Sequence, residues 1–140
     1  MMYVIGATNK PWSLDHPFLR RFQKRIYVSL PSTEAREKLF DLYTSPLKKN
    51  SRVNSLSLAK QFDGYSASDI RDVCQSVQME VVNELFRSPD YREPIAGESP
   101  SMPRELSMMD FKNIKIKRKP SVSTEMVRAY HKWSEQFRAL

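Results

Sequence analysis

The chain opens MMYVIGATNK, residues 1–10, and the reading of this stretch decides the fold. Tyr3, Val4 and Ile5 form a near-continuous apolar run closed by Gly6. A run without alternation fits a parallel strand buried on both faces better than a half-exposed one. Such a strand needs neighbours. Working outward, the only other convincing strand is Ile26 to Val28, followed by Leu30 and Pro31. Two short strands do not make a stable sheet, so the other strands are expected in sequence upstream of these residues.

From Ser32 onward the pattern turns helical. Thr33 to Tyr43 places Leu39, Phe40, Leu42 and Tyr43 near one side, with Ser32 or Thr33 to cap the start and Pro46 soon after the end. A short helix is predicted over Ser55 to Phe62, with Leu56, Leu58, Ala59 and Phe62 inward, and Gly64 breaks it. The longest helix is predicted from about Ala67 to Phe86. Ser66 and Asp69 make a capping-box start, and Ile70, Val73, Cys74, Val77, Val81 and Leu85 recur at helical spacing. Residues 88–104 hold four prolines and Gly97 and read as an exposed loop. Ser107 to Ile114 begins with another Ser-x-x-Asp. Pro120 and Ser121 introduce a final helix with Met126, Tyr130, Trp133 and Phe137 in a stripe and Val127 beside it. The fold class is therefore mostly α with a remnant of α/β: the last strands of one domain, then a small helical domain and a terminal helix.

Composition narrows the function. The 140 residues are 40% hydrophobic and 28% charged, ordinary for one soluble domain. There is no long apolar span and no signal-peptide pattern, so a cytoplasmic location without membrane insertion is expected. Cys74 is the only cysteine, and His16 and His131 are far apart, so neither a disulfide nor a metal site is expected. The net charge of +7 makes polyanions plausible partners without choosing among them.

Residues 4–40, VIGATNKPWSLDHPFLRRFQKRIYVSLPSTEAREKLF, together with FDGYSASDI (62–70) and PSVSTEMVRAYHKWSEQF (120–137), carry a family likeness. They resemble the second half of the large domain, the lid signature and the terminal helix of AAA-type ATPases. Three separated signatures in the right order make the resemblance specific. Its nearest group contains katanin, spastin, the vacuolar-sorting ATPase that disassembles ESCRT-III polymers, and archaeal cell-division ATPases.

The resemblance implies a division into residues 1–31, the end of the large α/β domain; 32–119, a helical lid with the loop 88–104; and 120–140, the terminal helix. It implies that Asn9 is a sensor of the γ-phosphate and that Arg20 and Arg21 are arginine fingers reaching the nucleotide of a neighbouring protomer. A guanidinium suits that task because it stays charged and presents a rigid fork to phosphate oxygens. Gly64, Ala67 and Ser68 match positions close to the adenine, and Tyr43 a position near the base or ribose. ATP is the implied cofactor, with magnesium held by the upstream half. The implied partners are neighbouring AAA subunits in a ring, a hexamer in the full-length protein, and ESCRT-III-like polymers.

A phosphate loop G-x-x-x-x-G-K-[S/T] needs two glycines five apart, whereas the glycines here are Gly6, Gly64 and Gly97. No Asp-Glu pair follows an apolar strand. The chain alone is thus expected to be inactive. The short loop 88–104 stands where some ESCRT-linked relatives insert a small β domain. The run FKNIKIKRKP, with Lys112, Lys115, Lys117, Arg118 and Lys119, is more basic and less helix-like than the resemblance leads one to expect. It supports a rival reading, a nucleic-acid-binding module with Phe111 stacking a base. A third reading is a purely oligomerising interaction module.

Overall fold

The structure, a computed structural model, describes residues 1–137. Six helices follow a 3-10 turn at Pro11–Ser13: α1 (His16–Arg21), α2 (Thr33–Thr44), α3 (Ser55–Gln61), α4 (Ala67–Arg87), α5 (Met108–Lys117) and α6 (Thr124–Gln136). The chain divides into two compact units: residues 1–29 with those from Val122 onward, and residues Leu30–Ser121. The expected terminal segment 120–140 runs past the described residues at 138–140.

The mostly helical fold is the expected one, but the two strands do not form. Residues 1–8 and 24–32 have no regular secondary structure, and Tyr3, Ile5, Ile26 and Val28 are exposed. The reason is the one that made them conspicuous. A strand exists through a ladder of inter-strand hydrogen bonds, and the one β-bridge among the described residues joins Lys49 and Leu106 instead.

The helices begin where short polar side chains take up free N–H groups. Asp15 accepts from the Phe18 N–H at 3.0 Å, Ser32 from Ala35 at 3.2 Å, and Asn54 from Leu56 at 2.8 Å. At α5 the Asp110 carboxylate accepts the Ser107 N–H at 2.8 Å. That start, with Phe111 and Ile114 buried one turn apart, carries α5 to Lys117 and makes the basic run more helical than expected.

The core of the Leu30–Ser121 unit is built by α2 against α3 and α4, and α4 against α5. Phe40, Phe62 and Phe111 are fully buried. Phe40 meets Phe62 at 5.3 Å and Phe111 at 6.3 Å between ring centres, spacings favourable for tilted and edge-on aromatic pairs. The α4 stripe is buried at Ile70, Val73, Cys74, Val77 and Val81. Leu42 and Leu56, expected inward, are exposed: the helix stripe is narrower than a tally of apolar residues implies.

The unit of residues 1–29 and α6 buries less, Pro11 and Leu19 being its buried residues among those described. The α6 aromatic stripe is half-buried here. Tyr130 lies 5.0 Å from Trp12 and 6.1 Å from Tyr27, and Phe137 lies 5.7 Å from His16, between ring centres.

Candidate functional site

The turn between α3 and α4 gathers three of the sequence-predicted binding residues. Gly64 has φ +82°, and a Cβ there would meet nothing within 4 Å. Glycine is therefore required by a left-handed backbone and not by lack of space. Tyr65 follows, buried, its ring edge-on to Phe62 at 4.9 Å. Its hydroxyl donates to the Arg118 carbonyl at 2.6 Å. Burial, with Asp69 nearby, raises its pKa, so the phenol stays a donor.

Ser66 caps α4, its Oγ accepting the Asp69 N–H at 3.1 Å while the Asp69 carboxylate accepts the Ser66 N–H at 3.0 Å. The same carboxylate oxygen accepts the Ser121 N–H at 3.1 Å and the Ser121 hydroxyl at 3.0 Å. Burial pushes the Asp69 carboxyl upward, but the hydrogen bonds from Ser66 and Ser121 outweigh it and leave its pKa below the usual value. Ala67 and Ser68 are exposed at the first two positions of α4, where backbone N–H groups have no partner within the helix.

Tyr43, the fourth predicted binding residue, is half-buried on α2 and packs against the helical core. Arg36 on the same helix was not singled out from sequence. It is buried, donating from Nε to the Ala59 carbonyl at 2.8 Å and from Nη1 to the Pro31 carbonyl at 2.9 Å. No pattern in the sequence separates it from the exposed basic residues.

The three predicted catalytic residues lie in the other unit. Asn9 is exposed in a bend and not at a strand end; its carbonyl accepts a hydrogen bond from the Tyr130 hydroxyl of α6. Arg20 and Arg21 are exposed in the last turn of α1, where the negative end of the helix dipole favours cations. Arg25, from the same basic run, behaves differently. It donates to the Leu19 carbonyl at 2.9 Å and the Phe137 carbonyl at 3.1 Å and lies over the Phe137 ring, so it closes the ends of α1 and α6. Among the described residues Arg20 and Arg21 form no ion pair with a carboxylate.

Two shallow grooves open on the helical unit. One of about 240 Å³ is lined by Asp110, Asn113, Ile116 and Lys117, the other of about 230 Å³ by Leu47, Gln78, Val82 and Met102. Neither includes a predicted site residue. Phe111 is fully buried, so it has no face to offer a nucleic-acid base. No helix among the described residues is long and apolar enough to cross a membrane.

The mostly helical fold is that of the C-terminal part of a AAA domain. The chain is 48% identical over 139 residues to cell division protein C of Sulfolobus acidocaldarius, a match covering 99% of this chain and 34% of that protein. It is 38% identical over 133 residues to fidgetin-like protein 1 of Drosophila melanogaster, covering 94% of this chain and 24% of the relative. The chain thus spans about a third or less of these relatives' length. Among solved structures, the FIGL-1 AAA domain in complex with ADP matches with a TM-score of 0.80 and 29% identity, over 94% of this chain and 44% of that one. A structure described as the structural basis for katanin self-assembly matches with a TM-score of 0.71 and 25% identity, over 89% and 44%. No protein-family model matches the chain. The homologues are thus AAA ATPases, and the chain matches a C-terminal stretch of the AAA domain.

Proposed function

We propose that this chain supplies the sensor, the trans-acting arginines and the lid of a AAA ATP hydrolase that remodels protein polymers. The observation that carries the reading is the likeness, over 94% of the chain, to a AAA domain crystallised with ADP. Residues 1–31 would end the large α/β domain, 32–119 form the lid with its loop 88–104, and 120–140 the terminal helix.

The lid turn suits a nucleotide. Exposed Ala67 and Ser68 leave room beside the first turn of α4, whose free N–H groups favour polar or anionic atoms. Gly64, Ala67 and Ser68 would hold the adenine side, with Tyr43 near the base or ribose. Bound ATP supplies the γ-phosphate whose transfer to water is the reaction. Phosphoryl transfer is catalysed chiefly by positioning and by charge neutralisation. Asn9 would orient the attacking water, and Arg20 and Arg21 would donate to phosphate oxygens in the adjacent protomer. An exposed guanidinium without an internal carboxylate partner is free to reach across an interface.

The remaining requirements fall to other parts. An upstream half would bring the phosphate loop and the acidic residues that hold magnesium, and this chain alone would not hydrolyse ATP. The partners would be neighbouring AAA subunits in a hexameric ring and ESCRT-III-like polymers. The kinship with a cell division protein and with a self-assembling katanin supports this reading.

The test is ATP turnover on mixing this chain with a AAA upstream half carrying the phosphate loop. The Arg20→Ala/Arg21→Ala double variant should lower kcat by roughly 10³–10⁵, the range arginine fingers contribute. Undiminished turnover by that variant removes the arginines from the mechanism.

A further inference from the structure

The lid turn is fastened to a part of the chain more than fifty residues away, and nothing in the sequence announces it. Tyr65, one residue after Gly64, donates to the carbonyl of Arg118, the residue that ends α5. Asp69, on the first turn of α4, accepts both the N–H and the hydroxyl of Ser121. Both ends of the short segment 118–121 are thereby pinned to one turn. Pro120 between them has a fixed φ and no N–H, so the segment has little freedom of its own. Beyond it, Val122 alone separates Ser121 from Ser123, the N-cap of α6. The chain therefore leaves the helical unit through a fixed point with almost no slack before its next helix.

An ordinary helix cap would not need this arrangement. The reciprocal bonds between Ser66 and Asp69 already close the start of α4. The bonds to Arg118 and Ser121 add nothing to that cap. What they do is make the turn and the exit move together.

We infer that Tyr65 and Asp69 are positioning residues that lock the α5–α6 connection to the lid turn, so that nucleotide bound at Gly64 to Ser68 shifts the point from which the chain runs into α6. The inference rests on the proposed ATPase reading and adds a route by which nucleotide state leaves the lid. Adding bonds to the bound state or removing them at the turn changes which positions of 118–121 are favoured, the differential interaction that any such coupling requires.

Amide hydrogen exchange tests it with variants that spare both the cap and the core. Tyr65→Phe keeps the ring and removes the hydroxyl; Ser121→Ala removes one of the two bonds from Ser121 to Asp69. In this chain, the double variant should speed exchange at residue 121, whose N–H is the amide in 119–124 that the structure shows hydrogen-bonded, by about tenfold, the effect of losing two modest hydrogen bonds, with α4 unchanged. Ser121→Thr, which keeps the hydroxyl, should restore protection relative to Ser121→Ala. Unchanged exchange at 119–124 in Tyr65→Phe and in Ser121→Ala, each measured singly as well, would overturn the lock.

Coupling is read with magnesium-ADP after adding the upstream AAA half. In the unmutated chain, ADP should slow exchange at 64–69 and alter it at 119–124; in the double variant only the first response should remain. If ADP protects 64–69 while 119–124 stays unmoved in the unmutated chain, the inference fails and the ATPase reading stands. Failure of ADP to protect 64–69 strikes the ATPase reading itself, and the inference falls with it.

Discussion

Arg36 shows how a single charged residue can be structural. Its guanidinium is buried at 4% exposure and spans the α3 carbonyl of Ala59, the Pro31 carbonyl and the Thr33 hydroxyl. Its ionic partner Asp63 lies 3.3 Å away but is 86% exposed, and an ion pair open to water contributes little. Arg36→Ala should therefore cost about 2–3 kcal/mol by leaving the buried Ala59 carbonyl and the half-buried Pro31 carbonyl and Thr33 hydroxyl without their donor. Asp63→Ala should stay within about 0.5 kcal/mol, as surface changes do. Urea unfolding of the two variants separates these outcomes, and equal losses would mean that the ion pair matters more than the carbonyls. At Gly64 the constraint is φ and not space, so Gly64→Ala should cost about 1 kcal/mol. Gly64→Asn should cost less, because Asn tolerates the left-handed region; thermal melts of both variants check the order.

At the scale of elements, the starts of α2, α4 and α5 were readable because capping is local chemistry, whereas the caps at Asp15, Asn54 and Ser123 were not singled out. Ser66 with Asp69, and Ser107 with Asp110, announce α4 and α5 within four residues of sequence. What they bond to beyond their own turn was not readable. Asp110 is buried and accepts from Arg104 at 2.7 Å, while Arg104 also reaches Glu84 on α4 at 2.9 Å. The Arg104 hydrogen bond, followed by those from Ser107, holds the Asp110 carboxyl below its usual pKa against the upward push of burial. A carboxyl depressed in the folded state stabilises the fold above its unfolded value, about 3.9, and that contribution fades as pH falls through the folded value. Asp69, also depressed, acts in the same window. Arg104→Ala should raise the pH midpoint of acid unfolding by about 0.5–1 unit, read by circular dichroism between pH 2 and 6. An unmoved midpoint would remove Arg104 as the cause.

At the scale of the whole molecule, the two units differ in how much they bury. The Leu30–Ser121 unit has a continuous core from Phe40 through Val81 to Ile114, whereas residues 1–29 leave Met1, Met2, Tyr3, Val4, Ile5, Ile26 and Val28 exposed. The segment 30–121 by itself should fold cooperatively. Cys74 reports on it: burial pushes its thiol up to about 12, and only the thiolate reacts. Alkylation at pH 8 should be negligible in the folded segment and rapid in urea, with the labelling midpoint matching that from circular dichroism. Ready labelling without denaturant would mean that the unit needs residues 1–29 or α6 to close. The α6 aromatic stripe is half-buried because Trp12, Tyr27 and His16 lie close to it in space though far along the chain.

The sequence by itself determined what depends on neighbours within a turn or two: helices α2 to α6, though not α1, the starts at Ser32, Ser66 and Ser107, the α4 stripe, the proline-rich loop, and the ordered signatures that liken the chain to AAA ATPases. Tertiary structure decided what depends on contacts distant in sequence. It held Arg25 and Arg36 against carbonyls while leaving Arg20 and Arg21 exposed, and it hydrogen-bonded Arg118 and Ser121 to Tyr65 and Asp69 at the start of α4. It also left Tyr3 to Ile5 and Ile26 to Val28 without regular secondary structure. Periodicity and capping are encoded locally, but a strand, a buried guanidinium and a clamp each require a partner whose position only the folded chain can supply.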